Sequence, residues 1–399
     1  MKTLEAMPNK SPKEKVLIDL RQIDSKSGGF STYQRSLLTG LMSLREQQEL
    51  RYEPVLLLSA PLAPTEPLSD QVRVAAFSSV IAKAKPLSLA EWFEIPKIIA
   101  THQIALYHST TFSSIPVGLM KSVKWITTLH DLNHLHYGSL FHRLYYQLVL
   151  RPFALGASKV MTVSKSIQSE LQEWLKLSPE QFKLAYNAID WVSRYAHPAE
   201  QVSKRVLSQF GLTEGRYFVC LANSKPHKNL EFLLEAYRMH AQGEKPWPLV
   251  ILGSNLKPVN PVNADVPENS RPQVIAVPYQ ELESAYALVK HSAALFSPSL
   301  YEGFGLPPVE ALVLGVPAIA AKIAPHLESL GAYENRGVSF RNPRELYDWS
   351  AAFAEVTSGK VSRPDSRVGH ELCERYSAIA LARTVNASYQ EILDISVSL

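Results

Sequence analysis

Short apolar runs alternate with amphipathic stretches along the first half of the chain. Residues 16–20 predict a buried strand, which is followed by a glycine-containing loop and a helix over residues 31–44. Further strands are predicted at residues 54–59, 72–77, 104–108, 124–129 and 159–163. Short strands separated by helices indicate a parallel sheet covered on both faces, which is the doubly wound α/β architecture.

The same alternation starts again in the second half of the chain. Strands are predicted at residues 217–222, 248–252, 273–277, 293–297 and 316–321. Residues 187–204 are polar and include Pro198, so we interpret them as the linker between the two sets. A chain of 399 residues is also longer than one hydrophobic core usually supports. We therefore expect two Rossmann-like domains.

The predicted domain boundaries follow from these segments. Residues 1–15 are polar and contain two prolines, so they are expected to form a disordered tail rather than a secretory signal. The N-terminal domain is predicted over residues 16–195 and the C-terminal domain over residues 205–372. An amphipathic helix within residues 373–399 ends the chain.

The loop after the predicted strand 293–297 leads into a helix start. Gly303 and Gly305 lie in the loop, and Pro307 is suited to the first turn of a helix. The unpaired N–H groups and the positive dipole end of a helix make a site for a diphosphate. The two glycines let the backbone approach such a ligand closely.

Two glutamates flank this loop. Glu302 is predicted at the carboxyl end of the strand, where ligands bind in open α/β sheets, and Glu310 in the first turn of the helix. Two carboxylates would repel a diphosphate unless they accept hydrogen bonds from hydroxyl groups. A nucleotide sugar has a hydroxylated ring at each end, so we assign one glutamate to the sugar and the other to the ribose.

The string EGFGLPPVE, from Glu302 to Glu310, resembles the E-x7-E signature of the retaining glycosyltransferases of family four. The resemblance implies the GT-B fold, in which two Rossmann-like domains face a central cleft and residues 373–399 cross back to the first domain. It implies that Glu302 faces the transferred sugar, that Glu310 binds the ribose, and that the backbone from Phe304 to Leu306 holds the phosphates. A glycine loop with one capping glutamate is the structural alternative.

A second segment, LANSKPHKNL at residues 221–230, crowds cations at a predicted helix start near Asn229. That placement opposes the helix dipole unless an anion is shared there. The segment resembles the family's phosphate-binding motif, with Lys228 as the basic residue that neutralises the leaving diphosphate. Many members have an arginine where this chain has Asn223, and Lys225 is the candidate substitute. Two solvated lysines on a loop are the alternative.

His130 follows the predicted strand at residues 124–129. The resemblance places the matching histidine of the family beside the donor sugar, which implies that role for His130. The spacing of His130, His134 and His136 is also compatible with a zinc site. A histidine that only caps the strand is the structural alternative.

The Gly28–Gly29 pair precedes the first predicted helix and resembles the family's first glycine loop, where the backbone meets the diphosphate. Ordinary turn chemistry explains a glycine pair equally well.

Residues 141–165 combine leucines and aromatic residues with four Lys or Arg residues. Such a stretch could face a membrane that holds a lipid-linked acceptor. A helix packed against the sheet is the alternative.

Charge and cysteine content narrow the classes of protein. The 41 Lys and Arg residues nearly balance the 37 Asp and Glu residues and are scattered, which argues against a nucleic-acid binder. The two cysteines lack metal-ligand spacing and favour a reducing compartment. No apolar run reaches the roughly 20 residues of a membrane span. We expect a cytoplasmic location, with any membrane contact peripheral and on the inner face.

Together these segments predict a retaining hexosyltransferase that needs no metal. No Asp-x-Asp pair occurs, so we expect no metal or other cofactor besides the nucleotide sugar, which is a substrate. The motifs resemble mannosyltransferase-like members, so GDP-mannose is the favoured donor, with UDP- or dTDP-hexoses next and a glycan or lipid-linked acceptor. A nucleotide-sugar epimerase, a phosphorylase and a catalytically silent subunit are the rival functions.

Overall fold

The computed structural model describes residues 13–23, 28–62, 67–223, 225–241, 246–253 and 273–394. Almost all of the predicted tail at residues 1–15 lies outside these ranges, and so do residues 395–399. The chain divides into two compact units. The first comprises Met1–Val163, Gln168–Tyr186 and Ala378–Leu399, and the second comprises Ser164–Ile167 and Asn187–Ser377.

The first unit is built on a parallel sheet. Its described strands are β1 (Lys15–Asp19), β2 (Glu53–Leu58), β3 (Ser78–Ile81), β4 (Ile104–Ser109), β5 (Lys124–Leu129), β6 (Lys159–Thr162) and β7 (Phe182–Leu184). Their order is 3-2-1-4-5-6-7, and every neighbouring pair is parallel. Strands β1, β2, β4, β5 and β6 confirm the predicted ones, whereas the short strand β7 was not predicted.

The predicted strand at residues 72–77 is wrong. Helix α2 (Pro67–Val74) covers the start of this stretch, and β3 begins only at Ser78. Val72 and Ala75 are three positions apart and both are buried, which is the spacing of one helix face. A short apolar run is compatible with the hydrophobic period of a helix and with that of a strand. The sequence of this run therefore did not decide between the two.

The other helices of the first half lie between these strands. They are α1 (Gly29–Glu46), α3 (Glu91–His102), α4 (Asn133–Tyr137), α5 (Leu140–Tyr145), α6 (Arg151–Leu155) and α7 (Lys165–Leu175). A π-helical turn, Tyr146–Leu150, joins α5 to α6, and a 3₁₀ turn, Val117–Leu119, precedes β5. Among all described helices of the chain, none has the length and apolarity that a membrane crossing requires.

The second unit repeats the plan of the first. Its described strands are β8 (Phe218–Leu221), β9 (Leu249–Leu252), β10 (Val274–Val277), β11 (Ala294–Ser297), β12 (Ala318–Ala321) and β13 (Val338–Arg341). The order is 10-9-8-11-12-13, and all pairs are parallel. The order reverses between β8 and β11, so the loops that leave their carboxyl ends are neighbours.

Helices cover the second sheet as well. They are α8 (Glu200–Gln209), α9 (Leu230–His240), α10 (Leu282–Lys290), α11 (Leu306–Val313), α12 (Ala324–Leu330), α13 (Leu346–Thr357) and α14 (Ser366–Arg375). Helices α9 and α13 pack together, and Phe353 of α13 stacks on Phe296 of β11 with ring centroids 4.1 Å apart. Aromatic packing on β11 therefore fixes the strand that leads to Glu302.

The predicted linker at residues 187–204 is structured. A 3₁₀ helix, Asp190–Tyr195, lies within it, and α8 begins at Glu200. Ile189 and Val192 are fully buried, and the Ile189 amide donates to the Tyr376 carbonyl at 2.7 Å. Residues 187–195, which the sequence placed in the first domain, are therefore grouped with the second unit.

The chain ends with helix α15 (Ala378–Ile392), which belongs to the first unit and packs along α1. The two backbones come close at Gly40. A Cβ at this position would overlap the carbonyl oxygen of Ala378 and lie 2.6 Å from the Cβ of Ala382. A glycine here is therefore required by packing and not by backbone conformation.

We predict that Gly40→Ala lowers the free energy of unfolding of the first unit by about 1–3 kcal/mol, because overpacking outweighs the better helix propensity of alanine. Urea unfolding followed by circular dichroism measures the change. Gly118→Ala is the matched control, since a Cβ there meets nothing within 4 Å. A Gly40→Ala protein that is as stable as wild type would contradict the close packing of α1 on α15.

Candidate functional site

The loop from β11 to α11 has a backbone that requires glycine at position 305. Gly305 is the N-cap of α11 and has a φ of 84°, which side chains rarely tolerate. A Cβ on Gly305 would also overlap the ring of His326, coming within 2.6 Å of its Nε2 atom. The buried side chain of Phe304 packs edge-on against Tyr376. At these positions the loop therefore presents backbone atoms, and not side chains, to a ligand.

A charged pair joins this loop to the loop after β8. The Nζ atom of Lys228 lies 2.7 Å from Oε1 of Glu302, and the two side chains are only 18% and 12% exposed. Lys228 ends a 3₁₀ turn, Pro226–Lys228, immediately before α9. The structure thus brings together two of the predicted site residues from segments that are 74 positions apart.

Asn229 connects the loop after β8 to the loop after β11 by hydrogen bonds. Its backbone has a φ of 53°, and its side-chain amide donates to the carbonyls of Pro298 at 3.2 Å and Pro343 at 3.1 Å. The amide of Leu300 donates to the carbonyl of His227 at 2.8 Å. These backbone contacts hold the Lys228–Glu302 pair in register, because each partner sits within two residues of one of them.

Asn223 and Lys225, the other two site residues predicted in the second segment, lie before the 3₁₀ turn. The side-chain oxygen of Asn223 accepts from the Lys225 amide at 3.2 Å, and the Lys225 side chain is exposed. Asn223 therefore has a local role in shaping the turn. The predicted contacts of Asn223 and Lys225 with phosphate stay predictions.

The environment of Glu302 favours its ionised form. Burial raises the pKa of this carboxyl group, but the neighbouring ammonium of Lys228 and hydrogen bonds from Lys228 and Ser299 outweigh it. The net effect is a pKa below the ordinary value. Glu302 is therefore a carboxylate at neutral pH, poised to accept hydrogen bonds.

Glu310 has the opposite environment. It is the fifth residue of α11, in the second turn and not the first as predicted, and it is 6% exposed. Burial raises its pKa to about 7, although hydrogen bonding from Tyr286 and the charge of Lys228 act against the rise. Gly303 and Leu306 lie half-buried between the two glutamates.

Aromatic side chains surround Tyr286 near Glu310. The Tyr195 ring stacks on the Tyr286 ring at 5.1 Å, and the Trp191 ring meets it edge-on at 5.6 Å. Trp191 and Tyr195 come from the 3₁₀ helix of the predicted linker. The linker therefore contributes part of the wall beside Glu310, which the sequence did not indicate.

In the first unit, His130 lies in an aromatic cage at the end of β5. Its ring meets Phe30 edge-on at 4.9 Å and Tyr33 at 4.8 Å, both from the start of α1 after Gly28 and Gly29. Its Nε2 atom donates to the Thr110 carbonyl at 2.9 Å, which leaves Nδ1 as the acceptor. Burial lowers the pKa of His130 to about 4, so the ring is neutral at pH 7.

A buried polar chain supports this cage. The Thr128 hydroxyl lies 3.3 Å from the Tyr33 hydroxyl and 2.8 Å from Nε2 of His108. On the other side of the His108 ring, Nδ1 lies 2.5 Å from the Tyr389 hydroxyl of α15. The last helix of the chain is therefore connected by hydrogen bonds to the side chain that packs on His130.

The three histidines of the zinc hypothesis have separate partners. His134 stacks on His142 at 4.6 Å, and His136 lies 2.5 Å from Glu170, whereas His130 binds a backbone carbonyl. In the part of the chain that the structure describes, no three His, Cys, Asp or Glu residues are grouped to hold a metal ion. The zinc hypothesis is not supported by this arrangement.

Two protein families match the chain, one in each half. Residues 40–191 match Glycosyltransferase Family 4, and residues 207–368 match Glycosyl transferases group 1. This chain belongs to glycosyltransferase family 4. The resemblance drawn from the Glu302–Glu310 segment is confirmed.

Curated relatives of this family-4 chain are mannosyltransferases. O-antigen chain mannosyltransferase RfbU of Salmonella typhimurium is 22% identical over 252 residues, which cover 62% of this chain and 64% of that protein. O-antigen chain mannosyltransferase B of Escherichia coli is 27% identical over 237 residues, which cover 57% of this chain and 59% of that protein. The chain thus spans about three fifths of the length of each of these two relatives.

Solved structures with the same fold extend over nearly the whole chain. Alr3699/HepE of Anabaena, crystallised with UDP and glucose, has a TM-score of 0.68 at 16% identity and covers 95% of this chain and 100% of its own. Sucrose-phosphate synthase of Thermosynechococcus elongatus has a TM-score of 0.69 at 17% identity, covering 96% and 100%. These similarities confirm the predicted GT-B fold.

Sequence reasoning missed several residues that shape the site. Tyr286 and His326 lie on helices outside the motifs, and their positions carried no spacing signal. Asn229 was recognised only as a helix start, although an asparagine directly after the motif lysine can adopt a positive φ. Trp191 and Tyr195 lie within residues 187–204, which the sequence predicted to be a linker and not part of a site.

We predict that the two glutamates give stability opposite dependences on pH. The folded pKa of Glu310 is raised from 4.5 to about 7, so its contribution to stability is largest below pH 4.5 and is lost as pH rises to about 7. Glu310→Gln should therefore be more stable than wild type by roughly 2–3 kcal/mol at pH 8 and equal to it at pH 4.5.

Glu302→Gln is the matched comparison, at the glutamate that precedes α11. The pKa of Glu302 is lowered in the folded wild type. The ionised carboxylate therefore contributes stability at a pH above the unfolded pKa, and this stability is lost as the pH falls. This variant should be less stable than wild type at pH 8, with a difference that shrinks toward acid. Denaturant unfolding of the three proteins at both pH values measures this, and equal pH profiles for the variants would refute the assignment.

Proposed function

We propose that this chain transfers a hexosyl unit, with mannose favoured, from a nucleotide-sugar donor to a glycan or lipid-linked acceptor. The observation that carries the proposal is the Lys228–Glu302 pair beside the N-terminus of α11. A cation, a helix start and a carboxylate within one loop cluster suit a ligand with a diphosphate next to a hydroxylated ring. Family membership supports the same reaction class.

In this proposal Lys228 and the backbone at Gly303, Phe304, Gly305 and Leu306 bind the diphosphate. The ammonium of Lys228 offsets the negative charge that develops on the leaving phosphate, together with the dipole of α11. Asn223, Lys225, Gly28 and Gly29 are additional candidates for the phosphate contacts.

The two glutamates and His130 bind the hydroxylated parts of the donor. Glu302, held as a carboxylate by Lys228, accepts hydrogen bonds from the transferred sugar, and Glu310 accepts them from the ribose. The neutral imidazole of His130 accepts through Nδ1 from a sugar hydroxyl. The assignments of Glu302 and His130 follow from the protonation states that their surroundings favour, whereas Glu310 must ionise to accept from the ribose.

The proposed reaction retains the anomeric configuration. The acceptor oxygen attacks the anomeric carbon from the face that the phosphate leaves, as the C–O bond to the diphosphate breaks. The acceptor proton passes to a phosphate oxygen, so no enzyme base is needed and Glu302 is not a covalent nucleophile. Positioning and leaving-group stabilisation supply the rate enhancement.

GDP-mannose is the favoured donor because the curated relatives are O-antigen mannosyltransferases. UDP- and dTDP-hexoses are the next candidates, and the HepE structure contains UDP. The proposed setting is cytoplasmic, with peripheral contact to the inner face of the membrane, where a lipid-linked acceptor would be presented.

We predict that GDP and GDP-mannose distinguish the two glutamates. Glu310→Gln and Lys228→Ala should weaken GDP binding by at least about tenfold, because ribose and diphosphate contacts are lost. Glu302→Gln should not weaken GDP binding, because Lys228 keeps its charge, but it should lower the rate of mannosyl transfer at least about tenfold, because the partner of Glu302 is the sugar. Calorimetric titration and a transfer assay on a panel of glycan and lipid-linked acceptors measure both effects.

The exposed Lys322 provides the control, and Lys322→Ala should behave as wild type in this assay. The central hypothesis fails if no nucleotide sugar binds to the wild type. Binding without transfer to any acceptor would favour the silent subunit. Release of an epimer, or a requirement for inorganic phosphate, would favour the epimerase or the phosphorylase.

We also predict that the product keeps the anomeric configuration of the donor and that chelators leave the rate unchanged. Proton NMR of the glycoside reports the configuration, and assays with and without EDTA report the metal requirement. An inverted product would refute the same-face mechanism. A rate that EDTA abolishes and Mg²⁺ or Mn²⁺ restores would show that Lys228 and the helix dipole do not suffice for the leaving group.

A further inference from the structure

Exposed apolar side chains are concentrated in one stretch of the first unit. In the described residues, 17 large apolar side chains are exposed, and 12 of them lie between residues 81 and 155. They are Ile81, Leu87, Leu89, Phe93, Val117, Leu119, Tyr137, Leu140, Phe141, Leu144, Leu148 and Leu155. Exposed apolar residues scattered singly are ordinary, whereas a concentration of them marks an interaction surface.

The densest part is the helical segment from α5 to α6. Leu140, Leu144 and Leu148 recur every four residues and are 73%, 48% and 71% exposed, and Phe141 is 75% exposed. The side chains of Tyr146, Leu150 and Phe153 on the same segment are buried. The segment is therefore amphipathic, with one face packed on the unit and the other apolar face in solvent.

Neighbouring elements extend this apolar face. The 3₁₀ turn with Val117 and Leu119 contacts helix α3, which carries Phe93 at 73% exposure. Gly156, at the end of α6, is so close to the same turn that a Cβ on it would lie 3.6 Å from Val117. We call this face, from Phe93 through Val117 and Leu119 to the α5–α6 stripe, the docking surface.

Positive charge accompanies the docking surface. Residues 81–155 contain seven Lys or Arg residues and three Asp or Glu residues, and one of the cations, Lys124, is paired with Asp394. Among the acids, Glu91 is buried with the guanidinium of Arg21, and Glu94 accepts from the amides of Lys83 and Ala84. No Asp or Glu occurs between Asp131 and Glu170. Cations beside an apolar stripe are complementary to an anionic lipid surface.

We propose that the docking surface inserts its leucines and phenylalanines into an anionic lipid bilayer. Lys97 and Arg143, which are both exposed, contact lipid head groups. A second copy of this chain is a poorer occupant, because a two-fold interface would set the cations of the surface against themselves. The inference deepens the proposed function, since it names the surface that would bring the site to a lipid-linked acceptor.

Vesicle co-sedimentation of the full chain tests the proposal. Wild type should bind vesicles of phosphatidylglycerol and phosphatidylcholine at least about tenfold more tightly than vesicles of phosphatidylcholine alone. Leu144→Asp with Leu148→Asp, and separately Lys97→Glu with Arg143→Glu, should each weaken binding at least about tenfold. Tyr347→Asp and Arg367→Glu are the controls, because these side chains are 78% and 80% exposed outside the docking surface.

The outcomes separate this proposal from the proposed function. Circular dichroism spectra and urea unfolding of the docking-surface variants should equal those of wild type, which shows that both units are folded, and loss of vesicle binding then supports the proposal. Vesicle binding without any nucleotide-sugar binding would support the proposed docking surface and contradict the proposed transferase activity.

Equal binding to both kinds of vesicle, or binding that neither pair of substitutions changes, would overturn the proposal. A dimeric wild type in light scattering would also overturn the proposal if Leu144→Asp with Leu148→Asp made the protein monomeric and left vesicle binding unchanged. In that case a second copy covers the surface.

Discussion

The ion pair between Lys228 and Glu302 is the interaction on which the geometry of the candidate site in the second unit depends. It spans the loops after β8 and β11, which are neighbours because the strand order reverses there. Both side chains are largely buried, so removing one partner leaves an unpaired charge with little hydration. The positive φ of Gly305 and of Asn229 keeps the two loops in the shape that this pair requires.

The two glutamates of one signature differ because their neighbours differ. Glu302 lies beside an ammonium group and has a lowered pKa, whereas Glu310 is buried near Tyr286 and has a pKa raised to about 7. A buried carboxyl group that must ionise to accept hydrogen bonds opposes folding at neutral pH. Strained or destabilised groups of this kind concentrate at functional sites, where stability is exchanged for activity.

The first unit holds its candidate residue by a different means. Burial keeps the ring of His130 neutral, and the ring is enclosed by Phe30 and Tyr33 and bound to a backbone carbonyl. The hydrogen-bonded chain through His108 reaches Tyr389 on the last helix. The return of the chain end to this unit thus contributes to the support of His130 as well as to the packing against Gly40.

The sequence by itself determined most strands of both sheets and the family, because a buried parallel strand is a short apolar run and the Glu302–Glu310 spacing is specific. The strands β3, β7 and β13 were not among those it predicted. It could not distinguish α2 from a strand at residues 72–77, since so short a run is compatible with both periods.

Only the tertiary structure decided which distant residues meet. Strand order brings Lys228 to Glu302, and helix packing brings Tyr286 to Glu310 and His326 to Gly305. The tertiary structure also decided that Leu144 and Leu148 face solvent. An amphipathic sequence pattern is the same whether its apolar face packs on a sheet or is exposed to solvent. Periodicity is local along the chain, whereas contact and exposure depend on how all the elements are arranged.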